Sequence, residues 1–191
     1  LRKYEGHKKI NIIYQENLGL TKTANNAINR SNGEYIIRLD ADDYFDENIL
    51  LVLSSILDNK KDIGLVYPDY YEIDSAGEIL KIMRRKRIGK ESKLLDLPAH
   101  GACTLIRKNC LDSLGGYNEY VKYQDGYDLW IKFIQKFKPY NVNLPLFYYR
   151  KHNTSSTTNS RNILTARKHI KERFIKKNDK KKKICLIIPL R

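Results

Sequence analysis

An α/β domain built on a largely parallel sheet is the fold this sequence predicts, on three observations. Short β-rich apolar runs alternate with stretches of helical spacing, the pattern of strands joined through covering helices. One run, "EYIIRL" at 34–39, is continuous enough to be buried on both faces, as strands of parallel sheets are. It leads directly into Asp40-Ala41-Asp42-Asp43, at the carboxyl end of a strand, where open α/β sheets hold their ligands.

Taken in order, "INIIYQ" at 10–15 reads as a short buried strand, and Leu20, Ala24, Ala27 and Ile28 then recur at helical spacing before a stop at Gly33. After "EYIIRL" and the acidic turn, Asp46 suits the N-cap of a helix over 47–58. "IGLVYP" is a third strand, and "YYEIDSAGEILKI" a hairpin turning at Asp74-Ser75-Ala76-Gly77. The charged, irregular stretch 84–99 predicts a loop. "GACTLIRK" resumes strand character, and the short helix after it ends at Gly115-Gly116. "YDLWIKFIQKF" is helical, with Leu129, Phe133 and Phe137 on one face, and "YNVNLPLFYYR" is extended and interrupted at Pro145. Residues 158–177 predict a basic amphipathic helix, 178–183 a lysine-rich linker, and 184–191 a buried strand.

The 191 residues, 41% hydrophobic with fourteen Tyr, suffice for a packed core and exclude a disordered chain. Net charge is +14, but residues 167–191 hold eleven Lys or Arg against Glu172 and Asp179, which leaves +5 on the rest. The basic excess therefore belongs to the tail and not to a nucleic-acid-binding face. No spacing typical of nucleic-acid-binding modules is present, so no specific nucleic-acid partner is expected. Cys103, Cys110 and Cys185 are odd in number and lack CxxC spacing, which points to packed thiols in a reducing, cytoplasmic compartment.

Four carboxylates at Asp40, Asp42, Asp43 and Asp46 repel one another, and a divalent cation would offset that repulsion. Mg²⁺ or Mn²⁺ suits such a turn, because a substrate phosphate can complete the coordination. A solvated turn capping the next helix is the alternative. An EF-hand is excluded, since Tyr44 and Phe45 stand at its fifth and sixth positions.

"QENLGLTKTANNAINRSNGEYIIRLDADDYFDENIL" resembles the central block of family-2 glycosyltransferases, inverting nucleotide-sugar enzymes of GT-A fold, through Asn17, Gly19, Asn25, Gly33-Glu34-Tyr35-Ile36 and Asp40-Ala41-Asp42-Asp43. "LIRKNCLDSLGGYNEYVKYQDGYDLWIKF" is similar to the family's Gly-Gly-Tyr segment and (Glu/Gln)-Asp-x-x-Leu-Trp signature, and "PLFYYRKHNTSST" to its Tyr-Arg-x-His-x-x-Ser element. The three blocks run in order over roughly 10–157. The resemblance implies transfer of a sugar from a nucleotide-sugar donor to a glycan or lipid-linked acceptor, with inversion, in surface polysaccharide assembly.

Site roles follow from the same resemblance. Asp40 would contact the ribose or the metal shell, and Asp42 would coordinate Mn²⁺ or Mg²⁺; Asp43 is a third acid, ligand or cap. Asp125 would be the general base, or a helix N-cap, or both, while Asp128 caps or pairs. Trp130 would wall the acceptor site or sit in the core. His100 and Gly101 would lie against the acceptor or the donor, Arg150 would meet the diphosphate or be plain solvated charge, His152 would meet the metal, and Asn17 the donor. Many members carry Arg before the helical Asn, where this chain has Ala24; Lys22 would supply the missing charge.

The family also opens with a Val-Ile-Ile-Pro strand and a second strand ending in Asp-Asp, which would precede Leu1. The expectation is thus of a partial glycosyltransferase domain over 1–157 that exposes a sheet edge and binds donor poorly by itself. "ICLIIPLR" would open a second domain or dock on the same sheet, and the basic helix and lysines would make peripheral contact with anionic lipid at the inner membrane face. A non-catalytic glycan-binding domain and a basic nucleic-acid-binding module are the competing readings.

Overall fold

The computed structural model describes residues 2–85, 101–121, 123–151 and 160–178, with side chains over 161–174 in the last segment. Nearly all of the predicted 84–99 loop, His100, His152, the lysine linker and the 184–191 strand lie outside the described residues. The elements are α1 (Leu20–Asn29), β1 (Tyr35–Ile36), β2 (Tyr44–Phe45), α2 (Ile49–Asn59), β3 (Ile63–Ile73), β4 (Ile79–Met83), β5 (Leu105–Arg107), α3 (Lys108–Ser113), α4 (Asp125–Ile134), β6 (Lys138–Arg150) and α5 (Ser160–Asn178).

The strands form one sheet in the order β1-β5-β3-β6-β2, with β4 also paired to β3. The α/β class holds, but the expected parallel character does not. β3 and β6 are parallel, whereas β1–β5, β2–β6, β3–β4 and β3–β5 are antiparallel. Alternation in a sequence records which element follows which, and carries no information on strand direction. The expected hairpin is present: β3 turns into β4 through Asp74, whose Oδ1 accepts from the Ala76 and Glu78 N–H groups at 2.9 Å.

β3 is buried along nearly its whole length because both faces are covered. Leu65 and Tyr67 pack with Ile28 of α1, Leu111 of α3, Trp130 and Phe133 of α4 and Ile170 of α5. Val66 and Tyr70 pack with Ile49, Leu53 and Leu57 of α2 and with Phe147 of β6. Those three α2 residues recur every four positions, one apolar stripe on a helix. Proline breaks the β3–β6 ladder where expected: the register shifts on both sides of Asp69, which sits opposite Pro145. Prolines lack the N–H a ladder needs. Asn141 Nδ2 donates to the Tyr67 carbonyl at 3.1 Å beside this irregularity.

Several local expectations are corrected. Residues 10–15 form no strand, and Ile10 and Tyr14 are exposed; no described strand lies alongside to accept their backbone groups, and apolar content alone does not make a strand. "EYIIRL" contributes only Tyr35–Ile36 as ladder, at intermediate burial. Asn48, not Asp46, occupies the N-cap of α2; Asp46 instead closes the preceding turn, its Oδ1 accepting from the Asn48 N–H at 2.9 Å. At Gly115-Gly116, φ values of 75° and 66° end α3, a backbone region that costs glycine little. No described helix is long and apolar enough to cross a membrane.

Candidate active site

The acidic turn lies between β1 and β2 and is closed by the Asp43 N–H donating to the Asp40 carbonyl at 3.2 Å. Its far side is fixed by β6. Phe45 and Tyr44 pair with Phe147 and Tyr148, and the Tyr44 and Tyr148 rings stack at 4.4 Å. Asp43 is buried, and its Oδ1 accepts the Arg150 N–H at 2.8 Å. Arg150 then braces the turn from outside: Nε donates to the Asp42 carbonyl at 3.0 Å, and Nη1 donates to the Asp74 and Ser75 carbonyls at 2.8 and 2.9 Å. The guanidinium expected to meet a diphosphate is thus engaged with three backbone carbonyls, tying the acidic turn to the β3–β4 hairpin.

Burial pushes the Asp43 carboxyl up to about 6; the Arg150 N–H opposes the shift, and Asp42 and Asp40 add to it. Asp40 is also raised, by burial first, against the pull of Arg38 and with help from Asp125 and Asp42. Asp42 is exposed.

Arg38 is the residue that sequence reasoning missed. Its Nη1 donates to Asp125 Oδ2 at 2.7 Å, and its Nε meets Asp40 Oδ1 at 3.0 Å. One guanidinium therefore joins the turn after β1 to the first residue of α4, 87 residues later. It lies over the Tyr117 ring at 5.7 Å, and its side chain is 17% exposed. Burial works against its charge, but Tyr117, Asp125 and Asp40 outweigh that and raise its pKa. The only signal in the sequence was a lone cation between apolar residues in "YIIRL".

Asp125 opens α4, and the N-cap position belongs to Gln124, in left-handed conformation at φ 62°. The cap reading of Asp125 is thereby set aside, and the helix N-terminus favours a carboxylate there. Gly101 completes the cluster. A Cβ on Gly101 would stand 2.9 Å from Arg38 Nη2, and one on Gly126 would stand 3.1 Å from the Gly101 Cα. The structure therefore brings Asp40, Asp125 and Gly101 together around Arg38.

Other expected residues lie elsewhere in the architecture. Trp130 is 2% exposed and edge-on to Tyr67 at 5.6 Å; its place as an acceptor wall is replaced by a core position, because this face of α4 packs on β3. Asp128 pairs, with Arg173 of α5 and with Lys132 at 3.1 Å. Asn17 Oδ1 accepts the Gly19 N–H at 3.1 Å ahead of α1, and Lys22 is exposed on that helix. Asn25 of α1 holds the Gly-Gly-Tyr segment, with Nδ2 donating to the Tyr117 carbonyl and Oδ1 accepting its N–H, both at 2.9 Å.

A divalent cation can be judged against this donor set. Among the described residues no group of three potential ligands is gathered at metal-binding distance. Yet the buried Asp43 Oδ2 has no hydrogen-bond partner among the described residues, and it shares the turn with the carboxylates of Asp40 and Asp42. Hard oxygen donors on one side only fit Mg²⁺ or Mn²⁺ when phosphates complete the shell.

Comparison with known proteins gives the family and the fold. A glycosyltransferase of Rickettsia typhi is 30% identical over 187 residues, which cover 93% of this chain and 58% of that protein. The chondroitin synthase of Escherichia coli is 26% identical over 132 residues, covering 68% of this chain and 19% of that one. The chain thus spans little more than half of the first relative's length. Among solved structures, S. aureus TarS 1–349 in complex with UDP-GlcNAc superposes with a TM-score of 0.68 at 13% identity, covering 91% of this chain and 52% of that one. The expected GT-A-like architecture stands on that superposition. Residues 1–115 match the model of glycosyl transferase family 2, and the chain belongs to that family.

Proposed function

We propose that this chain carries the catalytic residues of an enzyme that moves a sugar from a nucleoside-diphosphate sugar to an acceptor hydroxyl with inversion, in surface polysaccharide or related glycan assembly. The observation that carries the reading is the Arg38 bridge, which sets the acidic turn and Asp125 on the two sides of one guanidinium. TarS binds UDP-GlcNAc, which supports a nucleotide-sugar donor here, and chondroitin synthase is a polysaccharide-forming relative by name.

In this mechanism Asp40 and Asp42 face the donor diphosphate. A Mn²⁺ or Mg²⁺ ion held by Asp42 would supply charge neutralisation at the leaving phosphate. Arg38 donates to Asp125 Oδ2, which leaves Oδ1 to take the proton of the acceptor hydroxyl as it attacks the anomeric carbon. Arg38 fixes the orientation of that carboxylate, and its charge lies next to the site where negative charge develops. Arg150 holds the turn in shape through the Asp42, Asp74 and Ser75 carbonyls. The acceptor is a glycan or a lipid-linked sugar at the cytoplasmic face of a membrane.

The test is turnover of the full-length protein over a panel of nucleotide-sugars headed by UDP-GlcNAc. Asp125→Asn should lower kcat by about 10²–10⁴-fold, the usual contribution of a general base. Asp42→Asn and chelation should each remove activity, and Mn²⁺ should restore it only to the chelated wild type. Full turnover in Asp125→Asn would overturn its role as the base, and activity indifferent to chelators would remove the ion.

A further inference from the structure

A second concave site lies between Tyr120, Val121 and Tyr123 on one side and α5 on the other. It is a cavity of about 470 Å³ whose lining includes Tyr120, Val121, Tyr123, Thr165, His169 and Arg173. Its volume is in the range of small-molecule sites. We propose that this cavity binds a pyranose ring of the acceptor, a subsite that rests on the glycosyl-transfer reading above.

The chemistry of the lining selects the ligand. Tyr120 is 96% exposed and Tyr123 41%, so two aromatic rings are presented to solvent within four residues. The hydroxyl of Thr165 and the imidazole of His169 stand beside them. A sugar ring matches both features, because its C–H face packs on an aromatic face while its hydroxyls reach polar groups. A phosphate fits poorly: Arg173 is spent on Asp128, and His169 faces Glu172 at 3.7 Å.

The cavity is mechanically tied to the reacting end of the molecule. Arg167 Nε donates to Gln124 Oε1 at 2.8 Å, immediately before Asp125, and Arg167 lies over the Tyr127 ring at 5.3 Å. Arg173 reaches Asp128, which is three residues beyond Asp125 and so on the same face of α4. The α5 wall on which a sugar would rest is therefore joined to the first turn of α4, which carries the proposed base.

The test uses the full-length protein, the nucleotide-sugar panel as donors, and free di- and trisaccharides as acceptors, with transfer and donor hydrolysis measured separately. Tyr120 and Thr165 are both exposed, so Tyr120→Ala and Thr165→Trp spare the core. Tyr120→Ala should raise the acceptor KM about tenfold relative to the donor KM, the worth of one aromatic contact; Thr165→Trp should raise it by filling the cavity; and both should lower the ratio of transfer to hydrolysis. Equal changes in both KM values, or no change in either, would overturn the subsite and leave glycosyl transfer standing. A wild-type protein that neither hydrolyses nor transfers any donor would instead overturn the underlying reading and the subsite with it.

Discussion

Arg38→Met is the perturbation that interrogates the site most directly. The substitution keeps the apolar stem in β1's continuation and removes the charge that neutralises two carboxylates. Arg38 and Asp125 are 17% and 16% exposed, and Asp40 is 31% exposed. Removing one member of a buried pair costs about 3–5 kcal/mol, and the partial exposure of Asp40 brings this to about 2–3 kcal/mol. For a chain of this length that corresponds to a fall in Tm of about 4–12 °C. The informative assay is a double-mutant cycle in urea with Asp125→Asn. If the guanidinium's main task is to neutralise Asp125, the double variant should recover at least about 1 kcal/mol relative to the sum of the single changes. Additive effects, or a Tm for Arg38→Met within about 2 °C of wild type, would refute the bridge as the element joining the two halves of the site.

Two further outcomes are expected. Gly126→Ala should destabilise and lower turnover, although alanine ordinarily favours a helix by about 1 kcal/mol; its Cβ would press on the Gly101 backbone at 3.1 Å, an overpacking cost of about 1–3 kcal/mol, so a more stable and fully active variant would show that the two segments can separate freely. The metal-free protein should lose stability as pH rises from about 4 to about 6, because the folded state holds the Asp43 proton over an interval where the unfolded state has released it; the loss is at most about 3 kcal/mol, and an equal slope in Asp43→Asn would assign it to other groups.

The parts of the site that could be read from the sequence are those encoded locally. Asp40, Asp42 and Asp43 crowd one turn, Asp125 opens an amphipathic helix, and Gly115-Gly116 marks a helix end, each within a few residues. Arg38 escaped because its meaning is a partner 87 residues away, and within "YIIRL" it looks like an ordinary edge residue. Trp130 was ambiguous for a related reason: an aromatic on a helix declares burial against something, and only packing on Tyr67 says that the something is the core. Arg150 has the charge expected for a diphosphate, but the nearby carbonyls of Asp42, Asp74 and Ser75 are contributed by two separate turns that the sequence does not bring together. β2 has two residues, too few for any periodicity to register.

The direction of β5 connects the misread topology to the chemistry. In an antiparallel pair the start of one strand lies beside the end of the other, so residues that enter β5 lie beside those that leave β1. The Cys103 N–H accordingly donates to the Arg38 carbonyl at 3.0 Å, and the Lys108 N–H donates to the Glu34 carbonyl at 2.8 Å at the other end of the pair. Cys103 takes a left-handed φ of 62° at this entry, and Gly101 comes to rest against both Arg38 and Gly126. Had β5 run parallel to β1, its entry would lie beside Glu34, at the far end of the strand from Asp40. Neither Gly101 nor its contact with the α4 N-terminus would then meet the acidic turn. The antiparallel insertion that the strand–helix alternation failed to disclose is therefore what places a carboxylate from α4 opposite the carboxylates that follow β1.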